Sequence, residues 1–533
     1  MRFMQRPHLY VTTPLYYVNA KPHLGHAYAT ILADTLIRHA RQRGVETYFL
    51  TGTDEHGEKI AAMAKKENRP PQEFCNEITG LFKSTWQEIG LKPDVFYRTM
   101  QPSHYALVSR ALQRLKDKGD IYFGSYEGKY CVGCERFRTD KEWNEKGVCP
   151  DHLTPPELRK ESNYFFKMSA YQERLIEHYR KHPETIVPAN YLKETMAFLE
   201  QPLEDFSISR PIERLSWGIP LPFDKNYVTY VWFDALLSYL GGLGYTGDSL
   251  DETPGFRKDF WENSCHVLGK DILKTHAIYW PTMLMALGVP VFKRLQVSGF
   301  WMTKGLKMSK SLGNVVDPKI VNAQFGMDPF RYYLLREMSY GSDGDFTWES
   351  FIQRANSDLA NGLGNLASRV LTLTHKNCDA KVPSNKARNE QDLALLAETH
   401  ALPALFAKEF DASRYHMALA AFSEAIAKCD RYINDQKPWA LAKDPASKPR
   451  LEAVLGTAMD CLWTLHIVGA SVLTQGAVQL RLALGAKETL DASGRFVPAW
   501  AEATKQLEPG TALGPIPRLY PRLELPKDEA KSE

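Results

Sequence analysis

Between Leu9 and Gly57 the chain alternates strand, helix and strand, and this pattern constrains the fold more than any other feature of its 533 residues. Leu9 to Tyr17 is dense in Tyr, Val and Thr, the residue types of a buried strand. The segment NAKPHLGHAYATILADTLIRHARQRG follows, with Leu24, Ala27, Ile31, Leu32 and Leu36 at helical spacing and Gly44 placed as a C-cap. A second strand-like run, ETYFLTGTDEHG, comes next. Two parallel strands need a long crossover, and a helix of this length supplies it. The N-terminal region therefore predicts a doubly wound α/β domain around a parallel sheet.

The rest of the chain departs from that rhythm in two places. Residues 119–225 are richer in Cys, Gly, Pro and charge, and read as an insertion; strand and helix signals return at Tyr227–Leu240 and His266–Leu287. From Asn356 onward, long Ala- and Leu-rich segments predict an all-α helical bundle, and LELPKDEAKSE predicts a solvated tail. Hydrophobic residues make up 44% and charged residues 24%, which excludes a disordered chain. Eight cysteines are too few for a disulfide-stapled scaffold of this length. Lys plus Arg is 66 and Asp plus Glu 63, so a net charge of +3 does not announce a nucleic-acid binder, although a basic patch can hide in a neutral total. Two stretches free of charged residues, Thr275–Phe292 and Cys461–Leu480, carry prolines, histidines or glutamines and read as buried elements rather than membrane spans. With no signal peptide in the first twenty residues, the expectation is a cytoplasmic protein without a membrane partner.

Three motifs carry chemistry. His23-Leu24-Gly25-His26 stands where the first strand hands over to the first helix, and a helix N-terminus attracts phosphate through its open N–H groups and dipole. The bland reading is two surface histidines. Lys307-Met308-Ser309-Lys310-Ser311, with Gly305 and Gly313 beside it, describes an anion-binding loop suited to a departing pyrophosphate; alone it is an ordinary solvated loop. Cys131-x2-Cys134 and Cys149-x2-His152, with fourteen residues between the pairs, suit one tetrahedral zinc. Four protein ligands leave no open position, so that zinc would be structural. Cys75, Cys265, Cys378, Cys429 and Cys461 offer no second set and read as buried thiols.

The pairing of HLGH with KMSKS, in this order and at this separation, resembles the class I aminoacyl-tRNA synthetases. The segments VTTPLYYVNAKPHLGH, TGTDEHG, YVWFDALLSYL, GKDILKTHAIYWP and NDQKPW resemble the methionyl-tRNA synthetase family in particular. The resemblance covers essentially the whole chain. It implies a Rossmann-type doubly wound parallel sheet split by a zinc-binding insertion and followed by an all-α helical bundle. The implied division is 1–118 and 226–298 for the two halves of the catalytic domain, 119–225 for the connective insertion with its zinc knuckle, 299–355 for the KMSKS and stem-contact segment, and 356–533 for the anticodon-binding bundle and tail.

The same resemblance assigns roles. His23, His26, Lys307 and Lys310 would act on the phosphates, with Mg2+ accompanying ATP; Gly25, Gly269, Asp271, Met308 and Ser309 complete the ATP site, Asp271 accepting from the ribose hydroxyls. Leu15, Tyr17, Trp232, Ala235, Tyr239, Ile272, His276 and Trp280 match the methionine pocket, and Asp54 the carboxylate that meets the substrate ammonium. A polarizable, flexible thioether is well held by aromatic faces and a few polar groups. Leu236 stands where some members carry proline, and Arg210 is either an active-site arginine or part of a structural salt bridge. Asn365 and Arg369, four apart on one helix face, and Trp439 match the readers of a CAU anticodon on tRNA(Met). The expected partners are methionine, ATP and that tRNA. The family's dimeric members carry a further C-terminal β-barrel, and the stop soon after the bundle gives the expectation of a monomer.

Two rival readings remain at this level. One is a class I enzyme for valine, isoleucine, leucine or cysteine. The branched-chain enzymes need a large editing insertion because one methylene discriminates poorly, and a cysteine enzyme would place zinc in the amino-acid pocket. The other is a tRNA-binding homologue that lost catalysis, which the two intact phosphate motifs disfavour.

Overall fold

A computed structural model describes residues 7–525, except 134–135, 139, 151–152, 304, 309–314, 488–489 and 492–493. Its centre is a six-stranded parallel sheet. The strands are β1 (His8–Tyr17), β2 (Glu46–Asp54), β3 (Val95–Arg98), β4 (Ile186–Val187), β5 (Ser264–Gly269) and β6 (Arg294–Ser298), in spatial order β3-β2-β1-β5-β6-β4. The expected first strand and second strand are both present and pair in parallel. β1 and β5 are neighbours although some 250 residues separate them in sequence, so the sheet is assembled from both sides of the insertion. The β1–β2 register shifts between Thr12 and Leu15, at Pro14, which has no N–H to give a ladder. That irregularity falls where β1 enters the candidate site.

The crossover is α1 (Leu24–Gln42), whose residues from Ala27 to Ala40 are all buried. The chain leaves it through Gly44, at φ +79°, as expected for a C-cap region. The sheet is further flanked by α2 (Glu58–Lys66), α3 (Pro102–Asp117) and α4 (Val231–Gly241). Residues 119–225 fold largely on a four-stranded antiparallel sheet of their own, built from Ile121–Cys131, Arg136–Arg138, Glu157–Phe166 and Phe206–Ser207. They also return β4 to the edge of the central sheet.

After the strands comes α5 (Met327–Arg336), then a π-helical stretch, Ala355–Gly364, and the bundle of α6 (Asn365–Asn377), α7 (Glu390–Asp411), α8 (Tyr415–Gln436) and α9 (Lys448–Gly469). A capping box at Asn389 and Asp392 starts α7. Asp392 then accepts from Tyr432 on α8 (2.6 Å) and from Arg450 on α9 (2.8 Å), pinning three helices at one carboxylate.

The bundle is joined to the catalytic layers by buried charge. Asp34 of α1 lies 2.7 Å from Arg38, 2.8 Å from Arg331 of α5 and 3.9 Å from Arg495. Burial alone would raise the Asp34 carboxyl; the three guanidinium groups outweigh it and hold the group below its ordinary value. Arg331 also donates to the carbonyls of Ser471 and Val472, just past α9. Both charge-free stretches are packed inside the fold as expected. The helical segment Pro445–Gly469 is long and apolar enough to cross a membrane by length and composition, yet 94% of its most apolar window is buried.

One expectation is corrected. The tail does not begin at Leu523. That residue donates its N–H to Asn356 Oδ1 (2.7 Å), and its carbonyl accepts from Asn356 Nδ2 (2.9 Å). An amide side chain with both a donor and an acceptor can clamp one backbone unit. Residues 526–533 lie outside the described residues.

Candidate active site

His23 is the N-cap of α1, in extended conformation, and its Nδ1 accepts from the Gly25 N–H at 3.1 Å. His26 reciprocates, its Nδ1 accepting from the His23 N–H at 3.2 Å. The motif is thus a capping box made of two imidazoles, with ring centroids 3.9 Å apart. Because Nδ1 is an acceptor in both rings, the neutral tautomer carries its proton on Nε2, the atom beyond the helix cap. A Cβ on Gly25 would sit 3.0 Å from the His23 ring, so a side chain there crowds the cap.

The second motif reaches the same place. Lys307 ends a two-residue strand, Leu306–Lys307, paired with Trp301–Thr303. Met308 lines the candidate cavity. Ser309 and Lys310 lie outside the described residues. Where the chain is described again, the Val316 carbonyl accepts from the Leu24 N–H at 3.0 Å. The chain just after the KMSKS motif is therefore hydrogen-bonded to the HLGH tetrapeptide.

Beside these two motifs lies a cavity of about 480 Å³. Its walls include Leu15, Tyr17, Asp54, Trp232, Ala235, Tyr239, Ile272 and His276 of the expected methionine set, and His23, Gly25, His26, Gly269, Asp271 and Met308 of the expected ATP set. Trp280 is not on the wall. It is fully buried one layer behind, edge-on to Tyr239 at 6.0 Å, and its Nε1 donates to His266 Nε2 at 3.3 Å. Leu236 is on the wall. Arg210 lines a neighbouring cavity, packs over the Tyr230 ring at 4.5 Å and donates to Ser207 and to the Ser209 carbonyl.

The polar groups of the aromatic wall are neutral. The Ile272 carbonyl accepts from His276 Nδ1 (3.0 Å), so Nε2 is the acceptor for the Tyr239 hydroxyl at 2.8 Å. Burial pulls the His276 imidazole down to about 4 and pushes the Tyr239 hydroxyl up. An uncharged wall of this kind suits an apolar, polarizable side chain better than a charged one.

The Asp54 side of the cavity is held by Glu55, the residue after Asp54. Glu55 is fully buried and takes a two-point contact from Arg98, at 2.7 and 2.8 Å. Trp217 Nε1 donates to the Glu55 carbonyl at 2.6 Å. Gly269 and Asp271 stand at the C-terminal end of β5, the usual place for ligands in a doubly wound sheet. Next to them Asp343 joins Lys270 (2.7 Å) to the Phe300 N–H (2.8 Å), and Phe300 lines the cavity.

Three cations on the cavity wall were not anticipated: Lys59, Arg138 and Lys274. Lys59, on α2, donates to the carbonyl of Gly133, between Cys131 and Cys134. Lys274 pairs with Glu142 of the insertion at 2.9 Å. Each is a single basic residue in a polar segment, with no spacing to mark it; only the docking of residues 119–225 on the sheet brings them together.

Of the expected zinc ligands, Cys131 and Cys149 are both fully buried. Thr154 links them: its carbonyl accepts from the Cys149 N–H at 2.9 Å, and its hydroxyl lies 4.0 Å from the Cys131 sulfur. Cys134 and His152 lie outside the described residues, and among the described residues no group of three or more His, Cys, Asp or Glu side chains is arranged to hold a metal ion. In the bundle, Arg369 lies 5.6 Å from the ring of Trp439, which is 42% exposed, and Asn365 is exposed one turn earlier on the same helix. Asp430 and Asn434 hold the Arg369 fork, both at 2.6 Å.

Comparison with known proteins agrees with this geometry. Residues 9–155 and 151–371 match the family of class I tRNA synthetases (M). The chain is 38% identical to the methionine–tRNA ligase of Fusobacterium nucleatum, over 98% of this chain and 81% of that protein. It is also 38% identical to the methionine–tRNA ligase of Streptomyces coelicolor, over 97% of this chain and 96% of that one. The structure superposes on Mycobacterium tuberculosis methionyl-tRNA synthetase in complex with methionyl-adenylate with a TM-score of 0.90, at 35% identity, covering 97% of this chain and all of the other. Sequence, fold and motif geometry agree, and the chain belongs to the methionine–tRNA ligases, within the class I tRNA synthetases.

Proposed function

We propose that the cavity between the HLGH cap and Met308 is where methionine is activated. The reaction of this family joins methionine to ATP as methionyl-adenylate with release of pyrophosphate, then passes the methionyl group to the 3′-terminal adenosine of tRNA. The observation that carries the site assignment is that one cavity is lined by His23, Gly25 and His26 of the first motif, by Met308 of the second and by the aromatic set.

In this reading the Asp54 carboxylate faces the substrate ammonium, and Tyr17, Trp232, Tyr239 and His276 surround the thioether. The methionine carboxylate oxygen attacks the α-phosphorus while the bond to the β-phosphate oxygen breaks, so pyrophosphate leaves with its electron pair. No protein nucleophile is required. The protein's work is positioning and charge stabilisation. The Nε2–H groups of His23 and His26 donate to phosphate oxygens, Lys307 and Lys310 meet the departing pyrophosphate, and Asp271 accepts from the ribose. Bound with ATP, Mg2+ would supply further positive charge against the phosphates. Cys131, Cys134, Cys149 and His152 would hold one structural zinc, and the shared Thr154 link between Cys131 and Cys149 supports that reading. Asn365, Arg369 and Trp439 would read the CAU anticodon, by base edges and by stacking. The domain division stated from the sequence is retained as part of the proposal.

ATP–pyrophosphate exchange with single amino acids tests the site. Exchange should depend on methionine; exchange driven by valine, isoleucine, leucine or cysteine instead overturns the assignment. His26→Ala should abolish exchange while leaving the melting temperature near that of the parent. Metal analysis should find one zinc per chain, lost in Cys131→Ser; full zinc content in that variant refutes the ligand set.

A further inference from the structure

Asp234 lies on α4 between two cavity residues, Trp232 and Ala235, but is itself absent from the cavity wall and fully buried. One carboxylate oxygen is 2.6 Å from His56 Nδ1 and the other 2.5 Å from His104 Nε2. The remaining ring nitrogens are also engaged: His56 Nε2 is 2.9 Å from the Tyr105 hydroxyl, and His104 Nδ1 is 3.0 Å from the Tyr97 hydroxyl. If each tyrosine donates to the nitrogen it faces, each ring keeps its one N–H for the carboxylate. Two neutral imidazoles then satisfy every group in the chain Tyr105–His56–Asp234–His104–Tyr97.

The chain of contacts spans the elements that build the amino-acid end of the cavity. His56 is two residues past Asp54, His104 and Tyr105 are on α3, Tyr97 is on β3, and Asp234 is on α4. The fit is close at the far end too. A Cβ on Gly241, the last residue of α4, would lie 2.3 Å from the Tyr97 hydroxyl oxygen, so only glycine lets the helix settle on that ring. Burial pushes the Asp234 carboxyl up, but His56 and His104 more than offset it and hold the group at about 2. A buried carboxylate is a costly way to fill space, because apolar residues of similar volume are often as stable or more so. What it supplies is direction: two short hydrogen bonds from different elements admit one relative placement.

We propose that Asp234 is a positioning residue for amino-acid recognition, clamping α4 through His56 and His104 so that Trp232 and Tyr239 stand at a fixed distance across the cavity from Asp54. The inference rests on the reading of that cavity as the methionine site. ATP contacts come from other elements, the α1 cap and the end of β5, so loosening the clamp should weaken methionine and spare ATP.

The test is steady-state ATP–pyrophosphate exchange with the full chain, measuring KM for methionine and for ATP separately. Asp234→Asn keeps the shape but turns an amide N–H toward one imidazole N–H. It should raise KM for methionine by about tenfold or more, the effect of one disrupted buried hydrogen bond, with KM for ATP within about twofold of the parent. Should that variant fail to fold, His104→Gln, which keeps an N–H for Asp234, reads the same split with a smaller rise. A parent chain without methionine-dependent exchange overturns the cavity reading and the inference with it. A parent that exchanges normally, with variants whose KM for methionine is unchanged or moves in step with KM for ATP, overturns the inference alone.

Discussion

Replacing Arg331 by methionine tests the junction between the catalytic layers and the bundle, and it needs no assumption about substrates. The guanidinium is 1% exposed and lies 2.8 Å from Asp34, which is fully buried. It also donates to Thr35 Oγ1, Ser471 O and Val472 O, each at 3.0 Å. Breaking a buried ion pair from one side costs about 3–5 kcal/mol. Arg38 at 2.7 Å still neutralises Asp34, which places this loss at the lower end of that range. The two carbonyls left without their donor add about 1 kcal/mol each, and the methionine side chain recovers part of that through apolar burial. The expected net destabilisation is about 4 kcal/mol, close to a thousandfold in the opening equilibrium of the junction. Urea unfolding followed by circular dichroism measures the loss. Hydrogen exchange should locate it at residues 471–473 and along α1. The exposed i,i+4 pair Lys181–Glu177, at 2.6 Å, is the control, and Lys181→Met should leave the urea midpoint close to that of the parent. Two results would refute the reasoning: an Arg331→Met protein within about 1 kcal/mol of the parent, or a loss no larger than that of the control.

Other outcomes follow from the same geometry. His276 is held at about 4, against an ordinary value near 6.5 in the unfolded chain, so the folded state keeps it neutral. KM for methionine should be flat from pH 8 down to about 5.5; a rise centred near 6.5 in the exchange assay would contradict a buried, neutral imidazole. Because the folded value is depressed, the stability linked to this group is fully present above about pH 6.5 and is lost as pH falls toward about 4, and a urea midpoint that rises over that interval would oppose the sign. Trp439→Ala removes a ring that is 42% exposed, so melting should change little. Charging of tRNA should fall by about tenfold to a hundredfold, as expected for one lost base stack, with pyrophosphate exchange unchanged; equal losses in both assays would exclude an anticodon role. Tyr239→Phe leaves the buried His276 Nε2 without the hydroxyl at 2.8 Å and should raise KM for methionine by about tenfold, read against an unaltered KM for ATP.

The parts of the fold that were legible from sequence share one property: their signal is local. β1, α1 and β2 declare themselves through residue type and period within fifty residues, and the HLGH cap and the KMSKS segment through short strings. The aromatic wall was legible only because its members match a family as a set; each tyrosine or tryptophan alone reads as core, and Trp280 is buried behind the wall rather than on it. What stayed hidden depends on docking. β4 is two residues long and joins the central sheet from within the insertion, and no period can show in two residues. Leu523 ends in a backbone clamp from Asn356 because the chain doubles back on α5 and its neighbours, whereas its flanking sequence has the composition of a tail. The Asp234 clamp joins positions 56, 104 and 234, which no spacing rule connects.

Charge shows the same limit in a form that bears on function. A total of +3 over 533 residues does not by itself point to an anion site. Around the cavity, however, Lys59, Arg138 and Lys274 arrive from α2, from the insertion and from the segment after β5. Glu142 answers Lys274, and Lys59 is spent on a carbonyl of the cysteine loop. Lys59 and Lys274 therefore tie residues 119–225 to the catalytic layers while placing positive charge on the wall of the proposed site. A cation that serves both purposes is held in place before the anion arrives, and a preorganised charge costs little reorganisation when charge develops on the departing pyrophosphate. On this arrangement the insertion would act as part of the catalytic apparatus. Lys274→Met should then raise KM for ATP more than KM for methionine, the opposite split from Asp234→Asn; the two variants thereby separate the phosphate side of the cavity from its amino-acid side. A Lys274→Met enzyme with both constants unchanged would reduce that lysine to a structural tether for Glu142.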